Sequence, residues 1–240
     1  TDLAVSNGEK ITGEDIKTDT GTDILDKEAK KLGIELVAIR SNFTDTVFSE
    51  NTEAEFTRFY DKLRQTDTLP VSSQPSPAEF LELFEDAKEK QEEVVVITIS
   101  SKLSGTYNGA MLAKDMAEYD NIYVVDSLQA SLSERLLVEY AVKLRDAGMG
   151  AKELVRKLEQ DRERVILTGV PSTLLYLKMG GRISPVVAAV GGVIGINPVL
   201  WLKDGVIESR SKARGMRMAK SGMQSFLKDY EADPAMPVMF

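Results

Sequence analysis

A run of β-formers, Val94 to Ile99, stops abruptly in Ser100-Ser101-Lys102-Leu103-Ser104-Gly105-Thr106, and a helical stretch from Tyr107 follows at once. In an open parallel sheet a strand-to-helix turn of this kind lies in the crevice where ligands bind. Its hydroxyls and free N–H groups suit an anion, helped by the positive end of the helix dipole. The alternation extends from about residue 14 to 160. Ile34–Ile39 and Ile122–Val125 read as further strands. Glu53–Gln65, Pro77–Glu89, Tyr107–Glu118, Ser131–Ala147 (closed by Gly148) and Ala151–Gln160 read as helices, and Leu69–Pro77 as a loop. Strands alternating with helices of this length predict a doubly wound, mostly parallel α/β domain.

After Arg164 the texture changes. Val165–Val170 is a short strand-like run, Ser172–Lys178 a helix, and Val199–Lys203 and Val206–Ser209 flank an Asp204-Gly205 turn. Asp-Gly between two such runs is a strong hairpin signal. Ser211–Asp229 reads as a basic helix. The expected organisation is a Rossmann-like α/β domain over 1–163 and a smaller α+β domain over 164–240. That second domain is expected to be incomplete at its C-terminus, where Pro237–Phe240 begins a strand with nothing after it. Leu3–Ile11, with Asn7-Gly8, reads as a stray hairpin.

The side-chain inventory narrows the chemistry. There is no His and no Cys, which removes a Ser-His-Asp relay, a thiolate nucleophile and every His-based zinc site. The balance of 30 basic against 38 acidic residues gives −8, a mean field that repels nucleic acid and anionic membranes. No apolar run reaches the length of a membrane span. The expected setting is the cytoplasm.

Three hydroxyl-rich turns stand out: Asp19-Thr20-Gly21-Thr22-Asp23, Val71 to Pro77, and Ser100 to Thr106, with Asp126-Ser127 a fourth. Taken singly, such residues are often only helix caps and turn formers. Taken together, several follow strands, so their polar groups would converge on one sheet edge as a receptor for a carboxylate or phosphate.

The same stretches carry a family resemblance. Leu69-Pro70-Val71-Ser72-Ser73-Gln74-Pro75-Ser76-Pro77 resembles the P-T-T-S-Q-P-S-P element of the DegV family of bacterial fatty-acid-binding proteins. Ser100-Ser101-Lys102-Leu103-Ser104-Gly105-Thr106-Tyr107-Asn108 is similar to that family's S-S-x-L-S-G-T-Y-Q element. Val125-Asp126-Ser127, Gly180-Gly181-Arg182-Ile183-Ser184 and Ile196-Asn197-Pro198-Val199-Leu200 continue the match in order. Three departures stand beside it. Glu14-Asp15-Ile16-Lys17-Thr18 is barely apolar where the family opens on a hydrophobic strand. Ser133 and Glu134 replace family glycines, and no H-T-G-x-G element closes the chain.

The resemblance implies a two-domain protein that buries one long acyl chain, such as palmitate, between its domains and has no catalytic residue, metal or cofactor of its own. It places the carboxylate on Ser72 and Ser104, with Ser101 and Gly105 beside them. It also implies, in some bacteria, presentation of the bound acid to a separate fatty acid kinase, with Arg182 and Arg214 facing that partner. Pro185 to Ile196 is the expected tunnel lining. Arg210, Lys212, Arg214, Arg217 and Lys220 form a basic stripe, read as lying on one helix. The competing class is an enzyme on phosphometabolites that would use the same turns, with Asp19, Asp23 and Asp126 holding Mg²⁺.

Overall fold

The computed structural model of the chain describes residues 16–183, 196–231, 233 and 239. Its strands are β1 (Ile16–Asp19), β2 (Ile34–Val37), β3 (Arg40–Asn42), β4 (Val47–Phe48), β5 (Val71–Ser73), β6 (Val94–Thr98), β7 (Ile122–Asp126), β8 (Thr168–Gly169), β9 (Ile196–Lys203) and β10 (Val206–Arg214). Its helices are α1 (Asp26–Leu32), α2 (Glu53–Gln65), α3 (Pro77–Lys90), α4 (Thr106–Ala117), α5 (Leu132–Asp146), α6 (Ala151–Asp161), α7 (Leu175–Met179) and α8 (Met216–Leu227). The expected hairpin over 3–11, the stretch 184–195 and most of the tail lie outside the described residues.

The first sheet is parallel, in the order β2-β1-β6-β7. β6 is buried along its whole length because both faces of the sheet are covered. Val95 and Ile97 join Ile16, Leu137, Val138 and Leu154 on the face of α1, α5 and α6. Val94 and Val96 join Phe80, Phe84, Ala110 and Ala113 on the face of α3 and α4. Each buried Val or Ile contributes about 1.5–3 kcal/mol relative to exposure. This is the doubly wound α/β core that the alternation predicts. The weakly apolar sequence of β1 carries no strand signal, yet it is wholly buried between β2 and β6. Its Lys17 ammonium is paired with Glu35 of β2 at 2.5 Å, so the charge is compensated.

Two antiparallel sheets complete the fold, β4-β3-β5 and β10-β9-β8. The first rests on a Phe43–Phe48–Phe59 cluster with ring centroids 5.4–5.8 Å apart. The second carries the Asp204-Gly205 hairpin and packs against α8, where Trp201 and Phe226 meet edge-on at 5.4 Å.

Several expected elements are corrected. Residues 69–77 are not all loop, because Val71–Ser73 pairs with β3 in register Ser72↔Ser41. The helix expected from Ser172 starts only at Leu175, and of Val165–Val170 only Thr168–Gly169 is strand. The basic helix expected from Ser211 begins at Met216. Ser211 to Arg214 extend β10 instead, pairing with Val199 to Ile196 beyond a bulge at Arg210. The basic residues are therefore divided between a strand and a helix and make no single helical stripe.

Candidate functional site

The direction of winding reverses between β1 and β6, so the switch point lies where the turns after these strands meet. Two carboxylates hold the turn after β6 in place. Asp19 Oδ2 accepts from the Ile99 N–H at 2.8 Å, and Asp126 Oδ1 accepts from the Ser101 N–H at 3.0 Å. Ser100, fully buried, organises the rest. Its N–H donates to the Gln129 carbonyl, its carbonyl accepts from Leu103 and Ser104, and its Oγ accepts from the Lys102 N–H.

The amides of Ile99 to Ser104 are thus all used inside the protein. Within Ile99 to Ser104 no N–H is left for an anion, which there would be met by hydroxyls. Ser101 Oγ has no hydrogen-bond partner among the described residues, while Ser104 Oγ lies 2.9 Å from Thr106 Oγ1. Helix α4 starts next without a side-chain cap on Gly105, leaving its positive end uncompensated by one.

A cleft of about 350 Å³ opens here. The turn from Ser101 to Gly105 forms one wall, Gly180 to Arg182 a second, and Val206 with Ile207 of β10 a third. Two bonds bring the walls together: Ser100 Oγ donates to the Gly205 carbonyl at 2.7 Å, and Arg182 Nε donates to the Leu103 carbonyl at 2.9 Å. Arg182 also donates to the Gly180 carbonyl. With Lys102, it puts two cations around an otherwise neutral lining.

Of the residues singled out in the sequence, Ser101, Ser104, Gly105 and Arg182 line this cleft together. Ser72 does not; it is exposed on β5. Its segment nevertheless reaches the turn through Gln74, whose amide occupies the place a Cβ on Gly105 would take. Arg214 ends β10, exposed, and does not line the cleft. Gln74, Ser100 and Gly205 are contacts that sequence reasoning did not single out. Gly205 had a turn signal, but nothing local revealed which turn it touches.

Behind the turn sits an acidic group. Asp19 and Glu134 are both fully buried. Burial pushes the Asp19 carboxyl up to about 7, against the lowering effect of the Ile99 and Gly21 amides. Burial, then the charges of Asp19, Asp23 and Asp126, push Glu134 well above the usual carboxylate range. Asp19, Asp126 and Asp23 are engaged with the Ile99, Ser101 and Leu128 amides and the Ser131 hydroxyl. Among the described residues no group of three His, Cys, Asp or Glu side chains is arranged to hold a metal ion. The aspartates expected as Mg²⁺ ligands serve as loop braces.

A doubly wound parallel sheet whose switch-point turn meets an antiparallel hairpin across a cleft defines a two-part α/β architecture. A family model described as "Uncharacterised protein, DegV family" matches residues 15–239. The chain belongs to the DegV family. A DegV domain-containing protein of Caldanaerobacter subterraneus subsp. tengcongensis is 31% identical over 218 residues, covering 91% of this chain and 78% of the relative. Among solved structures, a DegV family protein from Thermus thermophilus described by its fatty acid binding shares 30% identity at a TM-score of 0.79. That match covers 89% of this chain and 76% of the other. The Streptococcus pneumoniae fatty acid kinase (Fak) B3 protein, loaded with linoleic acid, shares 28% identity at a TM-score of 0.75, covering 89% and 77%.

Proposed function

We propose that this protein is a cytoplasmic carrier of one long-chain fatty acid such as palmitate, without turnover of its own. In this reading a domain over 1–163 supplies the head-group turns and a smaller one over 164–240 covers the acyl chain. The carboxylate sits at Ser104, flanked by Ser101 and Gly105, while Ser72, on β5 outside the cleft, is the second clamp hydroxyl that the family resemblance implies. The observation that carries the reading is the hydroxyl-lined, cation-flanked cleft at the switch point in a member of a family whose structural relatives bind fatty acids. Among the described residues no helix is long and apolar enough to cross a membrane.

The energetics support a holder. An acyl chain gains about 0.8 kcal/mol per buried CH₂, so about fifteen of them offer on the order of 12 kcal/mol before ordering costs. The head group must then be met by charge-assisted hydrogen bonds, since an unpaired buried carboxylate is far costlier. The expected lining, 185–195, lies outside the described residues; Ile196 opens β9. Arg182 at the mouth, with Arg214 further off, suits a kinase that phosphorylates the exposed carboxylate, as Arg forks match phosphate geometry. The fatty acid kinase B3 relative supports that partner.

Native mass spectrometry of protein purified from bacteria tests the reading. A co-purified species of acyl-chain mass is expected, displaced by a fluorescent fatty acid. An empty protein with no displacement overturns it. Ser104→Ala with Ser72→Ala should weaken palmitate binding; unchanged affinity would remove the clamp from these residues.

A further inference from the structure

Two carboxyl groups share a buried space beneath the Ser104 turn. A Cβ on Gly21 would stand 2.6 Å from Asp19 Oδ1 and 3.2 Å from Glu134 Oε2, so both side chains crowd the same glycine. Asp19 uses Oδ1 to accept from the Gly21 N–H and Oδ2 to accept from the Ile99 N–H, each at 2.8 Å. Glu134, on α5, is fully buried with neither oxygen hydrogen-bonded. The charged groups around the pair are Asp23 after β1 and Asp126 at the end of β7, both of which oppose ionisation of Glu134. Arg162, beyond α6, donates to the Asp126 backbone carbonyl. Two adjacent buried carboxyl groups without a cation between them cannot both ionise, so at least one proton stays in the pair.

We propose that Asp19 and Glu134 form a proton-holding pair that positions the Ile99–Ser104 turn, so that an anionic head group docking on the turn draws a proton from solvent onto Asp19. The proposal rests on the carboxylate reading of the cleft given above. The connection is short. Asp19 holds Ile99, and the next residue, Ser100, accepts the Ser104 N–H at 3.1 Å and bonds Gly205. An ionised Asp19 places negative charge behind the turn where a carboxylate arrives, and a neutral Asp19 removes that repulsion. Glu134 stays neutral and keeps the space dry. The titration of Asp19 from neutral to charged falls near pH 7, within the range a cell visits. Binding of the acid is therefore proton-linked, tighter below that point and weaker above it. Asp19 is a positioning residue in this scheme.

Palmitate affinity measured from pH 6 to 8.5, with calorimetry in two buffers of different ionisation enthalpy, tests the coupling. Affinity should fall about tenfold across the range, the size expected of one like-charge contact at an effective protein dielectric. Net proton uptake should appear near neutrality, and Asp19→Asn should flatten the profile to within twofold. Glu134→Gln, which keeps the space filled by a neutral group, should preserve the proton uptake on binding. Because Asp19→Asn removes an acceptor and can unfold the chain, ¹³C carboxyl titration of the ligand-free wild-type protein provides a second readout. One carboxyl should titrate near neutrality and move upward when palmitate is added. A pH-independent affinity without proton uptake overturns the coupling while leaving the fatty-acid reading standing. An Asp19 carboxyl in the ordinary range, or loss of the proton uptake in Glu134→Gln, overturns the pair. If no palmitate binds at any pH, the cleft reading and the coupling both fall, and the ligand-free titration still decides the pair.

Discussion

The buried hydroxyl of Ser100 donates to the carbonyl of Gly205 across 2.7 Å, joining the turn after β6 to the tip of the β9–β10 hairpin. The contact needs a glycine. Gly205 has φ 83°, following Asp204 at φ 49°, the paired positive angles of a tight hairpin turn. A Cβ on it would stand 2.5 Å from Ser100 Oγ and 3.1 Å from both Leu128 and Lys102. The hairpin tip is thus a structural part of the head-group turn.

Gly205→Ala should combine backbone strain with that collision and lower unfolding free energy by about 1–2 kcal/mol. Ser100→Ala should cost about 1 kcal/mol by leaving the Gly205 carbonyl without its donor. Urea unfolding of both variants checks the order. Equal stability of Gly205→Ala and wild type would show that the hairpin does not press on Ser100.

Gln74 and Gly105 make a second test. Gly105 has an ordinary φ of −79°, so a methyl there meets no backbone strain, only the Gln74 amide. Gly105→Ala should therefore weaken binding by displacing the Gln74 amide, while changing stability by less than about 0.5 kcal/mol because that exposed side chain can swing aside. Gln74→Ala removes the obstacle, so the double variant should recover most of the loss. A double-mutant cycle with no coupling would mean the two side chains do not meet.

What the sequence revealed follows from how local each cause is. α2 and α3 were legible to within a residue because periodicity, the Thr52 and Ser76 caps and Pro77 all lie in the helices themselves. β5 was hidden, since Val71-Ser72-Ser73 is short, exposed and flanked by prolines; only its pairing to β3 makes it a strand. Ser211 to Arg214 have reasonable helical propensity, and pairing with β9 overrides it. Gly215, at φ 83°, then stops α8 from reaching back into them. At the site, Ser101, Ser104, Gly105 and Arg182 could be named because each sits in a motif. Glu134 could not be placed there. It showed only as a departure from the family pattern, and burial beside Asp19 is a property of the packed helix, not of its neighbours in sequence.

The β5 side of the site rests on an ion pair whose pH dependence has a definite sign. Arg40 of β3 grips Glu79 of α3 at 2.5 and 3.1 Å, and Glu79 also closes the Ser76 capping box. The Arg40 guanidinium, with the Ser76 contacts, holds the Glu79 carboxyl down to about 2 from 4.5. A depressed folded value stabilises above the unfolded one, so the contribution is complete above about pH 4.5 and is lost as pH falls toward 2. Both side chains are about a third exposed, which limits the effect to about 1 kcal/mol after solvent screening. Thermal melts of wild type and Glu79→Gln should differ at pH 7, with the gap shrinking steadily as pH falls from about 4.5 toward 2. A gap that is constant with pH would assign the loss to packing.

Arg182 offers the sharpest separation of charge from geometry. Its Nε bonds the Leu103 carbonyl at 2.9 Å and another guanidinium nitrogen bonds the Gly180 carbonyl, so one planar fork ties two walls of the cleft. The side chain is exposed, and its removal should change overall stability by less than about 0.5 kcal/mol. Loss of the bond to Leu103 should free the Ser104 turn and weaken palmitate binding by roughly three- to tenfold, the value of one ordinary hydrogen bond. Arg182→Lys keeps the charge but cannot reproduce the fork. If Arg182 acts by positioning, the lysine variant should bind as weakly as Arg182→Ala, with the same insensitivity to salt. If it acts as a counter-charge, the lysine variant should recover affinity at low salt and lose it at high salt, and fluorescent fatty acid displacement at two ionic strengths distinguishes the two outcomes.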